Sequence, residues 1–193
     1  MTSNRFDAAY YERHYEDQAT RAVSPEEQRR QAAFIAAYLR YLAVEVETIL
    51  DVGCGIGTLL NALADEFPDA SAQGVEYSPY LCERFGWRQG SVVDFRSQPC
   101  DLVVCNDVLG YLNRRDCERA IRNLARLSDT ALYVSVLAEE DLDICDADFT
   151  DMSQHVRPLA WYRARLDRHF QSVGGGLFLK KPVRHTVWHI ERG

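Results

Sequence analysis

Three glycines stand at alternate positions directly after an apolar run and an acid, in Ile49-Leu50-Asp51-Val52-Gly53-Cys54-Gly55-Ile56-Gly57. Glycine at this spacing lets the chain bend sharply and lets a ligand approach the backbone with no Cβ between them. The apolar run reads as a buried strand and the residues after Gly57 as a helix. That junction is where open α/β sheets bind nucleotides. A second acid, Glu76, follows Asp51 by 25 residues in Gly74-Val75-Glu76-Tyr77-Ser78-Pro79. A carboxylate at the end of a second strand can accept hydrogen bonds from both hydroxyls of a ribose. Further along come Gly90-Ser91-Val92-Val93-Asp94-Phe95 and the stretch Asp101 to Leu112, which carries Asn106, Asp107 and Tyr111. His155 precedes the last expected helix and is the best candidate for a general base, because imidazole exchanges protons near neutrality.

Two kinds of nucleotide-binding loop can be separated here. A dinucleotide site reads G-x-G-x-x-G, and this chain has Thr58 where the third glycine would stand. The pattern D-x-G-x-G-x-G is complete in Asp51, Gly53, Gly55 and Gly57. That spacing, with the three later segments, resembles the class I S-adenosylmethionine-dependent methyltransferases, small-molecule type. The resemblance implies a cofactor site made by Asp51, Gly53, Cys54, Gly55 and Gly57 on the first loop and by Glu76 and Tyr77 after the second strand. It also implies that Val93 packs on the adenine and Asp94 meets its amino group. Asn106 and Asp107 would reach the site from the fourth strand, between methyl donor and acceptor. Aromatic N-terminal helices in this family fold over the cofactor, so Tyr11 and Tyr15 are candidate contacts. Tyr111 is a candidate acceptor contact beside His155. No metal is expected.

The reaction implied is methyl transfer by in-line displacement from S-adenosylmethionine, leaving S-adenosylhomocysteine. Methyltransferases acting on exocyclic amines of nucleic-acid bases resemble N/D-P-P-F/Y in the fourth segment, and Asn106-Asp107-Val108-Leu109 has neither proline. A small-molecule acceptor is the expectation, with oxygen, nitrogen, carbon and sulfur all open as the methylated atom. The acidic stretch Glu139 to Asp148 is open to three readings: part of an acceptor lid that draws in a cationic substrate, a divalent-metal loop without EF-hand spacing, or a solvated acidic loop. Three other readings remain at this point: a non-catalytic cofactor-binding partner subunit, a protein side-chain methyltransferase, and a nicotinamide-dependent oxidoreductase.

The elements that must position these residues follow from hydrophobic period and punctuation. Ser24-Pro25-Glu26-Glu27 is a capping box opening a helix through Leu42. Strands are expected at 46–52, 71–76, 90–93, 101–105 and 130–137. Helices are expected after Gly57, after Pro79, after the cap Asn113, and from Pro158 through Phe170. The segments 176–180 and 183–190 are expected to pair as a hairpin across Pro182. Strands alternating with helices imply right-handed crossovers. The fold expected is α/β and doubly wound: a mostly parallel seven-stranded sheet, helices on both faces, and an antiparallel C-terminal strand pair. All 193 residues are read as a single domain, with an N-terminal helical cap (1–44) on a Rossmann-like core (45–193).

A chain this long buries roughly 70% of its unfolded surface, so its core needs no metal or disulfide staple. The net charge of −7 disfavours binding to phosphate backbones. The expectation is therefore no nucleic acid as partner. No apolar run approaches the roughly 20 residues that span a bilayer, and no basic-then-apolar leader opens the chain. A cytoplasmic monomer or homodimer is expected. The six cysteines form no C-x-x-C pair and read as reduced thiols.

Overall fold

The computed structural model describes residue 11, residues 23–146 and residues 150–187. The first long helix, α1 (Pro25–Tyr41), begins as its capping box dictates. The Ser24 side chain accepts from the Glu27 N–H, and the Glu27 carboxylate accepts from the Ser24 N–H. There follow β1 (Thr48–Val52), α2 (Thr58–Glu66), β2 (Ser71–Glu76), α3 (Pro79–Phe85) and β3 (Arg88–Gln89). The second half contains β4 (Cys100–Asn106), α4 (Arg114–Leu127), β5 (Ser128–Ser135), α5 (Leu159–Leu166), β6 (Phe170–Gly174) and β7 (Leu177–Lys180). Asn113 caps α4 by accepting from the Asp116 N–H.

These strands form one seven-stranded sheet in the order β3-β2-β1-β4-β5-β7-β6. The pairs among β1 to β5 are parallel, while β7 runs antiparallel to both β5 and β6. The chain winds outward from β1 to β3 and then returns to lay β4 on the other side of β1. That reversal opens a crevice at the carboxyl ends of the strands.

Both faces of the sheet are apolar, as buried parallel strands require. On one face Ile49, Leu102, Val104 and Ala131 meet Ile35 and Leu39 of α1 and Leu59, Leu60 and Leu63 of α2. On the other, Leu50, Val103, Cys105 and Leu132 meet Cys117, Ile121 and Leu124 of α4 and Tyr162 and Leu166 of α5. Each fully buried leucine or isoleucine contributes roughly 1.5–3 kcal/mol. Among the described residues no helix is long and apolar enough to cross a membrane.

Three local expectations are corrected. The third strand is the two residues 88–89, and the expected strand at 90–93 gives way to a turn at 92–94. Ser91 uses up the amides there: its carbonyl accepts from Asp94 and Phe95, and its hydroxyl accepts from Val93. The C-terminal hairpin pairs 170–174 with 177–180, one strand earlier than expected. Its turn is Gly174-Gly175-Gly176, all at positive φ, which glycine alone adopts without strain. Phe170 therefore opens β6, and the last helix stops at Leu166. Residues 183–187 form no strand, and 188–190 lie outside the described residues.

Candidate functional site

At the carboxyl ends of β1, β2 and β4 a cavity of about 360 Å³ opens, within the usual size of a small-molecule site. Gly53 and Gly55 line it. Gly53 has φ 89°, and a Cβ there would meet the Val108 side chain. The N–H groups of Gly53 and Cys54 donate to the Val75 carbonyl (2.7 and 3.2 Å), which folds the loop back over β2. Gly57 closes the loop at φ 82° and heads α2, so it supports the cavity from behind. Cys54 likewise turns its sulfur towards Gly74 in β2.

Glu76 ends β2, buried and lining the cavity. Its Oε1 accepts from the N–H groups of Tyr77 (2.7 Å) and Ser78 (2.9 Å), and its Oε2 accepts from Gly55 (2.9 Å). The carboxylate thus joins the glycine loop to the end of the neighbouring strand. The Tyr11 hydroxyl also donates to Oε1, at 3.4 Å, and its ring stacks on Tyr80. Tyr11 is buried and lines the cavity, whereas Tyr15 lies outside the described residues. Tyr77 stands at the exposed rim and Val93 on the far wall.

Asp51, two residues before the loop, is buried beside β2 and is not part of the cavity wall. Burial, reinforced by the charge of Glu76, raises its carboxyl to about 8, so it is mainly protonated at neutral pH. Its Oδ1 is buried with no hydrogen-bond partner, an arrangement that marks a strained or functional position.

The end of β4 supplies the opposite wall. Asn106 is held through its Oδ1, which accepts from Gln31 Nε2 (3.0 Å) and the Ser135 hydroxyl (2.7 Å). Asp107 follows at φ 54°, a left-handed conformation that short polar side chains tolerate better than most. Its N–H donates to the Ser135 carbonyl (3.1 Å) and hydroxyl (3.2 Å). Burial raises the Asp107 carboxyl to about 6, opposed by a hydrogen bond from the Gln154 side chain and assisted by the charge of Asp151. Tyr111 also lines the cavity, in a short 3-10 turn at 109–111.

Besides Asp51, Cys54 and Gly57, which lie behind the cavity wall, Asp94 and His155 are not brought into the cavity. Asp94 is exposed, its N–H spent on the Ser91 turn. His155 is exposed and points no imidazole into the cavity wall; what ties it to the site is its N–H, which donates to the Gly110 carbonyl at 2.7 Å. Its neighbour Gln154 takes the inner position against Gly110. Sequence reasoning missed Gln154, Val108 and Trp87. The Trp87 ring covers Gly57 and Gly74, and its Nε1 donates to the Gly55 carbonyl at 3.0 Å. A glycine inside a strand marks a close approach by something large, so Gly74 was the available signal for Trp87. Among the described residues no group of three or more His, Cys, Asp or Glu side chains could hold a metal ion. All six cysteines are free thiols, with Cys105 and Cys117 buried.

The arrangement can hold a nucleoside: glycines at close approach, a carboxylate at the second strand end, and an apolar wall at Val93. Comparison with known proteins bears on which one. A methyltransferase-domain family model matches residues 26–178. A search of curated proteins finds no match. Among solved structures, DesVI from Streptomyces venezuelae is 27% identical over 59% of this chain and 53% of its own, with a TM-score of 0.52. Magnesium protoporphyrin IX methyltransferase from Synechocystis PCC 6803, with bound S-adenosylhomocysteine, is 20% identical over 75% of this chain and 74% of its own, with a TM-score of 0.59. The sugar N-methyltransferase KedS8 from Streptoalloteichus is 24% identical over 67% of this chain and 55% of its own, with a TM-score of 0.52. The chain thus spans only about half the length of DesVI and KedS8. The family match covers most of the chain, and the strand order with its antiparallel β7 agrees with these neighbours: the chain belongs to the methyltransferase-domain family, in the class I, S-adenosylmethionine-dependent group.

Proposed function

We propose that residues 1–193 act as one unit that binds S-adenosylmethionine in the cavity and methylates a small-molecule acceptor beside it. The observation that carries this reading is the Glu76 carboxylate, bonded to the Gly55 N–H while lining the same cavity as Gly53. The fit to the cofactor rests on two further features. The space beside Gly53 would be closed by any Cβ, and Val93 gives the same cavity an apolar wall.

In this reading Glu76 accepts the ribose hydroxyls, and Tyr11 closes over that end of the site. Tyr15 and Asp94 would act as supplementary contacts. Val93 packs on the adenine, with Tyr77 at the rim. Gly53, Cys54, Gly55 and Gly57 shape the loop, Asn106 faces the amino-acid end, and Asp51 supports the loop from behind the cavity wall. The bound cofactor supplies a methyl group on a sulfonium, activated without help from the protein. The chain's own contribution is to align the acceptor, exclude water and hold both partners, which can lower the barrier by about 7–11 kcal/mol. Asp107 and Tyr111 stand on the acceptor side. His155, exposed in this arrangement, remains a proposed base only if its segment turns inward on binding.

A small acceptor is favoured by the size of the cavity, about 360 Å³. The test is to incubate the protein with methyl-labelled S-adenosylmethionine and a cell extract split by ultrafiltration. Label appearing in the low-mass fraction supports the proposal. Label confined to retained protein would replace it with a protein side-chain methyltransferase, and cofactor binding with no label anywhere would leave a non-catalytic binding subunit.

A further inference from the structure

The acceptor end of the cavity has its own chemistry, which the cofactor does not explain. Val108 leans on Gly53, but the preceding residue, Asp107, turns through its left-handed backbone towards the segment after β5. There its carboxyl is bonded by the side chain of Gln154. Gln154 lies tight against Gly110, where a Cβ would collide with it, and its own Oε1 is buried with no hydrogen-bond partner. The charge acting on Asp107 is that of another acid, Asp151. The basic side chain of the same segment is already committed: Arg157 donates to the carbonyls of His155 and Leu112. One end of the cavity therefore offers a carboxylate, backed outside the cavity wall by a buried carbonyl oxygen without a donor and by the charge of a second acid.

Resting on the methyltransferase reading above, we infer that the acceptor is a primary or secondary amine, received as its ammonium form by Asp107 with Gln154 positioning the carboxylate. An ammonium brings a positive charge and two or three N–H donors to complement the Asp107 carboxylate. A hydroxyl brings one donor and no charge, and a carbon nucleophile brings neither. An ammonium nitrogen has no lone pair, so a proton must leave before the nitrogen can form a bond to carbon. One N–H bond breaks, the proton passes to an Asp107 Oδ, and the electron pair stays on nitrogen. Asp107 is suited to this exchange, because burial has already moved its carboxyl up into the range where it trades protons near neutrality. The acidic residues Glu139, Glu140, Asp141 and Asp143 add to the negative charge of the same segment between β5 and α5 that carries Asp151.

The test uses the full chain saturated with S-adenosylhomocysteine and two probes of one shape, cyclohexylamine and cyclohexanol, followed by saturation-transfer NMR. The amine is expected to bind about tenfold more tightly than the alcohol, and Asp107→Asn to abolish that preference. Asparagine tolerates the left-handed backbone, so the variant is expected to fold. Its affinity for S-adenosylhomocysteine is expected to stay within about threefold, a shift of less than 1 kcal/mol. Gln154→Ala is expected to weaken the amine preference without removing it. Equal binding of the two probes, or a preference unchanged by Asp107→Asn, would overturn the inference. So would loss of S-adenosylhomocysteine binding in that variant, which would put Asp107 on the cofactor. If the unaltered protein fails to bind S-adenosylhomocysteine, the cofactor reading fails by itself, and the probe comparison on the free chain still decides the amine.

Discussion

Glu76 accepts three backbone N–H groups as well as the Tyr11 hydroxyl, so its carboxylate has a structural task besides any ligand. Glu76→Ala is expected to weaken S-adenosylhomocysteine binding by tenfold or more. It is also expected to lower stability, because each buried N–H left without an acceptor costs about 1–3 kcal/mol. Calorimetric titration alongside thermal unfolding separates the two effects. Asp51 and Asp107 make a different prediction. Burial raises both carboxyls in the folded chain, to about 8 and about 6, from the usual value near 3.8. As pH rises from about 4 the unfolded chain loses these protons first, so it gains on the folded one. These two groups therefore lower stability as pH climbs, Asp107 until about pH 6 and Asp51 until about pH 8. Asp51→Asn is expected to flatten the decline between pH 6 and 8 in urea unfolding series. A decline that persists undiminished in the variant would contradict the account of Asp51.

At the scale of elements, the glycine loop and α1 give contrasting expectations. Gly53→Ala meets both a φ of 89° and the Val108 side chain, so it is expected to destabilise the fold by at least about 1 kcal/mol and to weaken S-adenosylhomocysteine binding. Adding Val108→Ala is expected to restore part of both, since it removes the collision but not the strain. Ser24→Ala deletes a cap far from the cavity and is expected to cost about 1 kcal/mol, lowering Tm by about 2–4 °C with ligand binding unchanged. The elements that the residues announced most clearly are those with local causes. The Ser24 box, the Asn113 cap and the apolar runs of β1 and β4 depend on neighbours a few residues away. The corrected elements depend on distant ones. The strand expected at 90–93 shrank because Ser91 captures its amides, and β6 forms at Phe170 because three glycines turn the chain back onto it. The same division runs through the cavity. Gly53, Gly55 and Glu76 were legible from spacing, whereas Gln154 and Trp87 arrive from loops whose course no local period encodes.

For the whole molecule, the decisive feature is the reversal of strand order between β1 and β4, which gathers residues from positions 11 to 116 around one cavity. Glycine loop, Glu76 and Val93 come from one side of the reversal, and Asn106, Asp107 and Tyr111 from the other. In the proposed reading a donor site and an acceptor site share a wall, which is what a direct transfer between two bound molecules requires. The net charge of −7 adds to the acid-rich acceptor end, so cationic partners are favoured over polyanions. The most direct measurement is calorimetric titration of the full chain with S-adenosylmethionine and with S-adenosylhomocysteine, repeated for Glu76→Ala and Gly53→Ala in samples shown to be folded. The account predicts one site per chain, micromolar for both ligands and at least tenfold weaker in each variant. No binding to the folded, unaltered protein, or binding that both variants leave intact, would contradict it.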